Sequence, residues 1–122
     1  MNKVKCKTNS INILQGEIWQ VYLDPIKGSE QGGNRPLVVI SGNTLNKNLG
    51  VVIGCPLSTS IHDFEGNLIL NPTESNGLIA KSEVMVFHVR SLSKERFKKK
   101  LGNISFSDLD HLKKTLNDIL KY

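Results

Sequence analysis

The chain has 122 residues, 39% of them hydrophobic and 22% charged, which fits one globular domain with a modest core and excludes wholesale disorder. Sixteen Lys and Arg against eleven Asp and Glu leave a net charge of +5, so the favoured partners are polyanions: nucleic acid, an anionic membrane face or an acidic protein tail. Cys6 and Cys55 form no C-x-x-C pair, no stretch nears the roughly 20 apolar residues of a membrane span, and the N-terminus lacks a signal-peptide core. A cysteine zinc site and a membrane partner are therefore set aside, and the expected location is the reducing cytoplasm.

Residues 1–15 are polar and basic, with Ile11, Ile13 and Leu14 as anchors, and read as an N-terminal arm or a short extra strand ahead of a domain over 16–122. Glu17 to Leu23 alternates, with Trp19, Val21 and Leu23 on one face and Ile18, Gln20 and Tyr22 on the other, which predicts a strand. Asp24 and Pro25 end it. Lys27 to Asn34 is glycine-rich and polar and predicts a loop. Leu37 to Ile40 is a β-branched run expected as a buried strand.

Ser41 to Gly50 reads as polar turn, and Val51 to Cys55 as a strand that Pro56 breaks. Ser58 to Gly66 is a loop, Asn67 to Leu70 a short strand, Asn71 to Gly77 a turn, and Ser82 to Val89 a fifth strand. Leu92 to Leu101 reads as a short helix or a basic turn. The one long helix is terminal: Leu109, Leu112, Leu116, Ile119 and Leu120 form a stripe, with Ser107 as the expected cap and Asp110 three residues on. Consecutive short strands and one terminal helix predict an α+β domain, a small curled antiparallel barrel with the helix over one end or edge.

Three groups of residues carry chemistry. Arg35 follows the glycine-rich loop and enters a strand, and a guanidinium offers five donors that match phosphate oxygens. Ser58, Thr59 and Ser60 cluster at a strand end, where hydroxyls either donate to a phosphate oxygen or bond their own backbone in a turn. The histidines are His62 in a polar loop, His88 ahead of Val89-Arg90, and His111 near the helix start; imidazole suits proton transfer, although structural or solvated roles are commoner. His62 with Asp63 and Glu65 is too loose a pattern for a metal site. The run Lys94 to Lys100 either tracks an RNA backbone with Phe97 as a stacking platform or is a solvated turn with Phe97 tucked inward. Walker A, dinucleotide, H-E-x-x-H and G-x-S-x-G patterns are absent from the sequence.

Taken together these segments resemble the MazF/PemK family of toxin–antitoxin ribonucleases. The resemblance is carried by Gly16-Glu17-Ile18-Trp19 with Asp24-Pro25, by Gly28-Ser29-Glu30-Gln31-Gly32-Gly33-Asn34-Arg35-Pro36 with Leu37-Val38-Val39-Ile40, by Cys55-Pro56-Leu57-Ser58-Thr59 and by Val89-Arg90-Ser91-Leu92. It covers residues 16 to about 120. It implies an SH3-like curled barrel with a C-terminal helix, a homodimer, and a cytoplasmic toxin that cuts single-stranded RNA at short sequences without metal or other cofactor. It also implies inhibition by a cognate MazE-like antitoxin with an acidic tail. The family's active-site pair falls on Arg35 and Ser58. The family usually has Thr at the second place, which keeps Thr59 as an alternative hydroxyl.

Glu30 is the proposed base, with His62 or His88 as further candidates, because Phe87 and His88 stand where family members often carry Asp, Glu or Gln. Gln31, Asn34, Thr59, Ser60, His62, His88 and Arg90 are the expected substrate contacts. RNA supplies its own nucleophile, the 2′-OH, so the expected products are a 2′,3′-cyclic phosphate and a 5′-OH. Two other functions suit the same fold. One is a gyrase poison like the CcdB toxins, whose usual Trp-Gly-Ile ending is replaced here by Ile119-Leu120-Lys121-Tyr122. The other is an inactive nucleic-acid-binding barrel.

Overall fold

The computed structural model describes residues 11–23 and 33–121. Seven strands and two helices follow in the order β1 (Glu17–Leu23), β2 (Gly33–Val39), α1 (Asn43–Asn48), β3 (Val51–Ser58), β4 (Leu68–Leu70), β5 (Ser82–Val84), β6 (Arg90–Ser93), β7 (Phe97–Asn103) and α2 (Phe106–Lys121). The strands make one antiparallel sheet ordered β4-β5-β3-β2-β1-β7, with β6 on the same edge of β3 as β5. The sheet curls into a half-barrel with α2 at its C-terminal end. The Asn71–Gly77 turn reaches across to β7, where the Asn103 N–H donates to Ser75 O at 2.8 Å.

The alternation seen in Glu17–Leu23 separates two cores. Trp19, Val21 and Leu23 join Ile13, Leu37, Val39, Val52, Leu92 and Phe97 on one face. Ile18 faces the other way with Val38, Cys55, Leu57, Val84 and the buried Leu109 and Leu112 of α2. The start of β1 is secured by the buried Glu17 carboxylate, which accepts from Leu14 N and Trp19 Nε1, both at 2.9 Å, and pairs with Lys100 Nζ at 3.1 Å. Of the arm's three anchors, Ile13 is buried while Ile11 and Leu14 remain exposed. Burial pushes the Cys55 thiol up to about 12, so it packs as an apolar group.

Five local expectations need correction. Ser41–Gly50 holds α1, because Asn46 is buried and its amide donates to Ser41 O at 3.0 Å, which turns a polar stretch inward. Pro56 does not end β3: the pairing with β6 stops at Gly54 and that with β5 begins at Leu57, so the missing N–H falls where the ladder changes partner. The expected strand Ser82–Val89 is only β5, followed by a 3-10 turn over Val86–His88. The basic segment is helical turn only over Lys94–Arg96; the rest is strand, β6 before it and β7, paired with β1, after it. There Phe97 is buried against Trp19, edge to face at 5.8 Å, and is no stacking platform. Finally, α2 is capped by Ser105, whose hydroxyl accepts from Asp108 N at 3.0 Å, and not by Ser107.

Gly54 marks the tightest packing between β2 and β3. An added Cβ would meet the Leu37 side chain and lie 2.6 Å from Val38 O. The unfolded-state gain of a Gly→Ala change, about 0.4–1 kcal/mol, is smaller than an overpacking cost of about 1–3 kcal/mol. Gly54→Ala should therefore lower the urea midpoint, and an unchanged or raised midpoint would show that β2 and β3 are less closely packed than described.

Candidate active site

The β2–β3 register builds the site. Leu37 pairs with Pro56, so two residues further along the antiparallel pair Arg35 approaches Ser58. Arg35 shares a face with Leu37 and Val39 by strand alternation and lies half-buried at the open end of that core row. Its Nη1 donates to Leu57 O at 3.3 Å, among its interactions. β2 begins at Gly33, four residues before the run expected to form that strand, so Arg35 lies inside it.

A cleft of about 700 Å³ opens beside Arg35, lined by Leu23, Pro56, Ser58, Ser60, His62, Met85, His88 and Arg90 as well as Arg35 itself. Six residues singled out from sequence thereby meet in one place: Arg35, Ser58, Ser60, His62, His88 and Arg90. Asn34 and Thr59 are exposed and do not line it. Glu30 and Gln31 lie outside the described residues. The Ser58 hydroxyl accepts from Ser60 N at 3.1 Å and donates to Ser60 O at 3.4 Å in a local serine turn at the cleft wall. His111 lies away from the cleft, its Nε2 3.2 Å from Gly66 O. A larger cavity, about 800 Å³, lies between Ile11–Leu14 and α1, but its described walls hold asparagines and lysines with no histidine or arginine.

Sequence reasoning passed over Glu83. Its fully buried carboxylate accepts from His62 N at 2.7 Å and Asp63 N at 3.1 Å through Oε1, and from Phe64 N at 2.9 Å and Asn67 Nδ2 at 3.0 Å through Oε2. Burial alone would raise this carboxyl, but the His62 N–H, the Asn67 amide and the N–H groups of Phe64 and Asp63 outweigh it and hold it at about 2. Asn67 extends the tie, its Oδ1 accepting from Val86 N at 3.2 Å. One carboxylate and one amide therefore set the loop bearing His62 against the 3-10 turn bearing His88. From the outside, Thr115 Oγ1 of α2 donates to Gly66 O at 2.7 Å and pins the same loop. Asp63 takes a left-handed φ of 56° at its bend, a conformation to which Asp is suited.

Comparison with known proteins agrees with this architecture. Residues 14–120 match the model of the PemK-like, MazF-like toxins of type II toxin–antitoxin systems. The chain is 32% identical over 107 residues to endoribonuclease MazF9 of Mycobacterium tuberculosis, covering 84% of this chain and 91% of that protein. A crystal structure of MazF from Deinococcus radiodurans superposes with a TM-score of 0.77 at 24% identity, covering 93% of this chain and all (100%) of that one. A MazE–MazF structure from the same organism gives 0.76 at 24% identity, over 91% and 97% of the two chains.

The Glu83 network predicts a pH signature. Its carboxyl is depressed in the folded protein, so its contribution is present above the ordinary carboxylate range and is lost as pH falls from about 4.5 towards about 2. Glu83→Gln should cost on the order of 2 kcal/mol at neutral pH, since hydrogen bonds to a charged acceptor exceed neutral ones. Urea titrations from pH 6 downward should show the gap between wild type and variant closing below about pH 4.5. A gap independent of pH would show that the carboxylate charge is not what holds the loop.

Proposed function

The chain belongs to the PemK-like, MazF-like toxins of type II toxin–antitoxin systems, and we propose that it cuts single-stranded RNA at the Arg35 cleft by attack of the RNA's own 2′-OH. The observation that carries this reading is the convergence of Arg35, Ser58, Ser60, His62, His88 and Arg90 on one cleft from segments far apart in the chain. The named relative MazF9 is an endoribonuclease, and it matches this chain across nearly its whole length.

The chemistry follows from what those groups can do. A base removes the 2′-OH proton, the 2′-oxygen bonds to phosphorus, the P–O5′ bond breaks, and an acid protonates the leaving 5′-oxygen. The products are a 2′,3′-cyclic phosphate and a 5′-OH. Arg35 neutralises charge that builds on the phosphoryl oxygens, and Ser58 donates to a nonbridging oxygen. His62 and His88 share the cleft and serve the proton transfers, with Glu30, outside the described residues, as the further candidate. Arg90 and Ser60 hold flanking backbone, Asn34 and Thr59 contact the substrate beyond the cleft, and Gln31, outside the described residues, is a further substrate contact. Because the nucleophile belongs to RNA and the charge is met by guanidinium, the scheme needs no metal.

The biological setting extends the same reading. The chain acts as a homodimer and is inhibited by a cognate MazE-like antitoxin, whose acidic tail folds on the basic surface and covers Arg35. A MazE–MazF assembly of the same fold supports this partner.

Purified protein should cut single-stranded RNA in EDTA, leave duplex RNA intact and generate cyclic phosphate ends. Arg35→Ala should lower the rate by about 10²–10³-fold or more, with an unchanged circular dichroism spectrum. Retained cutting in that variant would remove Arg35 from the mechanism. Among Glu30→Gln, His62→Gln and His88→Gln, compared by their pH–rate profiles, the variant lacking the base and the variant lacking the acid should each lose the corresponding limb, by roughly 10²–10⁴-fold in rate. A variant with an unaltered profile is excluded as acid or base.

A further inference from the structure

Two phenylalanines stand beside the cleft without a role in the scheme above. Phe64 is 44% exposed and Phe87 48% exposed, yet their rings meet edge to face with centroids 5.6 Å apart at 61°. His62 stacks on Phe64 at 5.2 Å and 20°. The cluster continues directly into the cleft, because His62, stacked on Phe64, and His88, next in the chain to Phe87, line it. It is also held rigidly. Glu83 takes the Phe64 N–H, and Asn67 joins that loop to the turn carrying Phe87. The most exposed apolar side chains among the described residues, Ile79 at 97%, Phe106 at 89% and Leu120 at 77%, belong to no ring cluster.

We propose that Phe64 and Phe87 form a nucleobase-stacking platform at the rim of the Arg35 cleft, taking the π face of an unpaired base next to the scissile phosphate. The proposal rests on the ribonuclease reading and adds to it a binding subsite with its own chemistry. Single-stranded RNA is recognised chiefly by splaying bases onto aromatic faces, and a rigid platform does so without first being ordered. An apolar protein partner has no need of an arginine-lined cleft immediately alongside, whereas a nucleotide presents a phosphate and a base at that spacing. The +5 net charge of the chain suits the same polyanion.

The test uses a short single-stranded RNA that the wild type cuts, with 2′-deoxyribose at the cut position, and measures affinity by fluorescence anisotropy. Phe64→Ala and Phe87→Ala should each weaken binding by about 5- to 100-fold. Phe64→Trp and Phe87→Trp should stay within a few-fold of wild type. Phe64→Leu and Phe87→Leu, which keep apolar volume without a π face, should resemble the alanine variants. An abasic residue scanned along the RNA should weaken wild-type binding at one position near the cut, and at that position should cost the Phe64→Ala/Phe87→Ala double variant nothing further.

Wild-type affinity in the alanine variants overturns the proposal and leaves the patch to a protein partner. Wild-type affinity in the leucine variants alone overturns it in favour of simple packing. Abasic sensitivity equal in wild type and double variant overturns it as well. If the wild type itself neither binds nor cuts RNA, the ribonuclease reading fails first and the platform falls with it. Cutting that survives with unaltered base dependence in the variants sinks the platform alone.

Discussion

Everything distinctive about the cleft hangs on a carboxylate that the sheet buries. Desolvating an unpaired Glu83 would cost several kcal/mol. Four donors meet it, two on each oxygen, and hydrogen bonds to a charged group are worth about 1.5–3 kcal/mol apiece. The balance favours the ionised acceptor, in keeping with a carboxyl held at about 2. The consequence is geometric: a loop with little apolar burial of its own is tied by four hydrogen bonds to the strand beneath it. A short polar side chain there would reach fewer of those N–H groups, and an apolar one would leave them unsatisfied in the interior.

The guanidinium is positioned by an independent device, the strand register. Leu37 opposite Pro56 determines which residues follow at the open end of the β2–β3 pair, and alternation determines that Arg35 emerges on the core face. A one-residue slip would send it to the other side of the sheet. Gly54 guards that register by admitting no Cβ between Leu37 and the Val38 carbonyl. The two devices meet at β3: its edge facing β2 carries the approach of Arg35, and its other edge carries β5 with Glu83. The guanidinium of Arg35 and the imidazole-bearing loop held by Glu83 are thereby secured from opposite edges of one strand, close together yet by separate devices.

How legible this was depended on the range of the interactions involved. The Trp19, Val21, Leu23 alternation and the Leu109, Leu112 stripe are local patterns, and both elements form where the pattern places them. Elements set by distant partners were misread. Asn46 turns a polar stretch into α1 only because Ser41 and the sheet receive it, and the lysines of β7 are strand only because β1 offers a ladder. Pro56 signals a break in isolation but fits where β3 changes neighbours. Arg35 and its companions were visible because their chemistry is unusual at strand ends and the order around them is family-like. Glu83 was not visible, since nothing in Ser82-Glu83-Val84 distinguishes a buried acceptor from a carboxylate facing water.

A clamp on phosphate is indifferent to sequence, because every nucleotide offers the same oxygens. Selectivity for single strands and for particular bases has to come from groups that touch the bases themselves. Within the described part of the cleft, the polar side chains Arg35, Ser58 and Arg90 are suited to backbone oxygens, and the histidines to protons. What remains at the rim with a flat apolar face is the Phe64–Phe87 pair. Its rigidity through Glu83 and Asn67 matters because a platform that moved would accept any base at any angle. A held one admits only a base already turned out of a helix, which requires an unpaired strand. The same buried carboxylate that orders the backbone at His62 thus also orders the backbone that carries the Phe64 ring beside it.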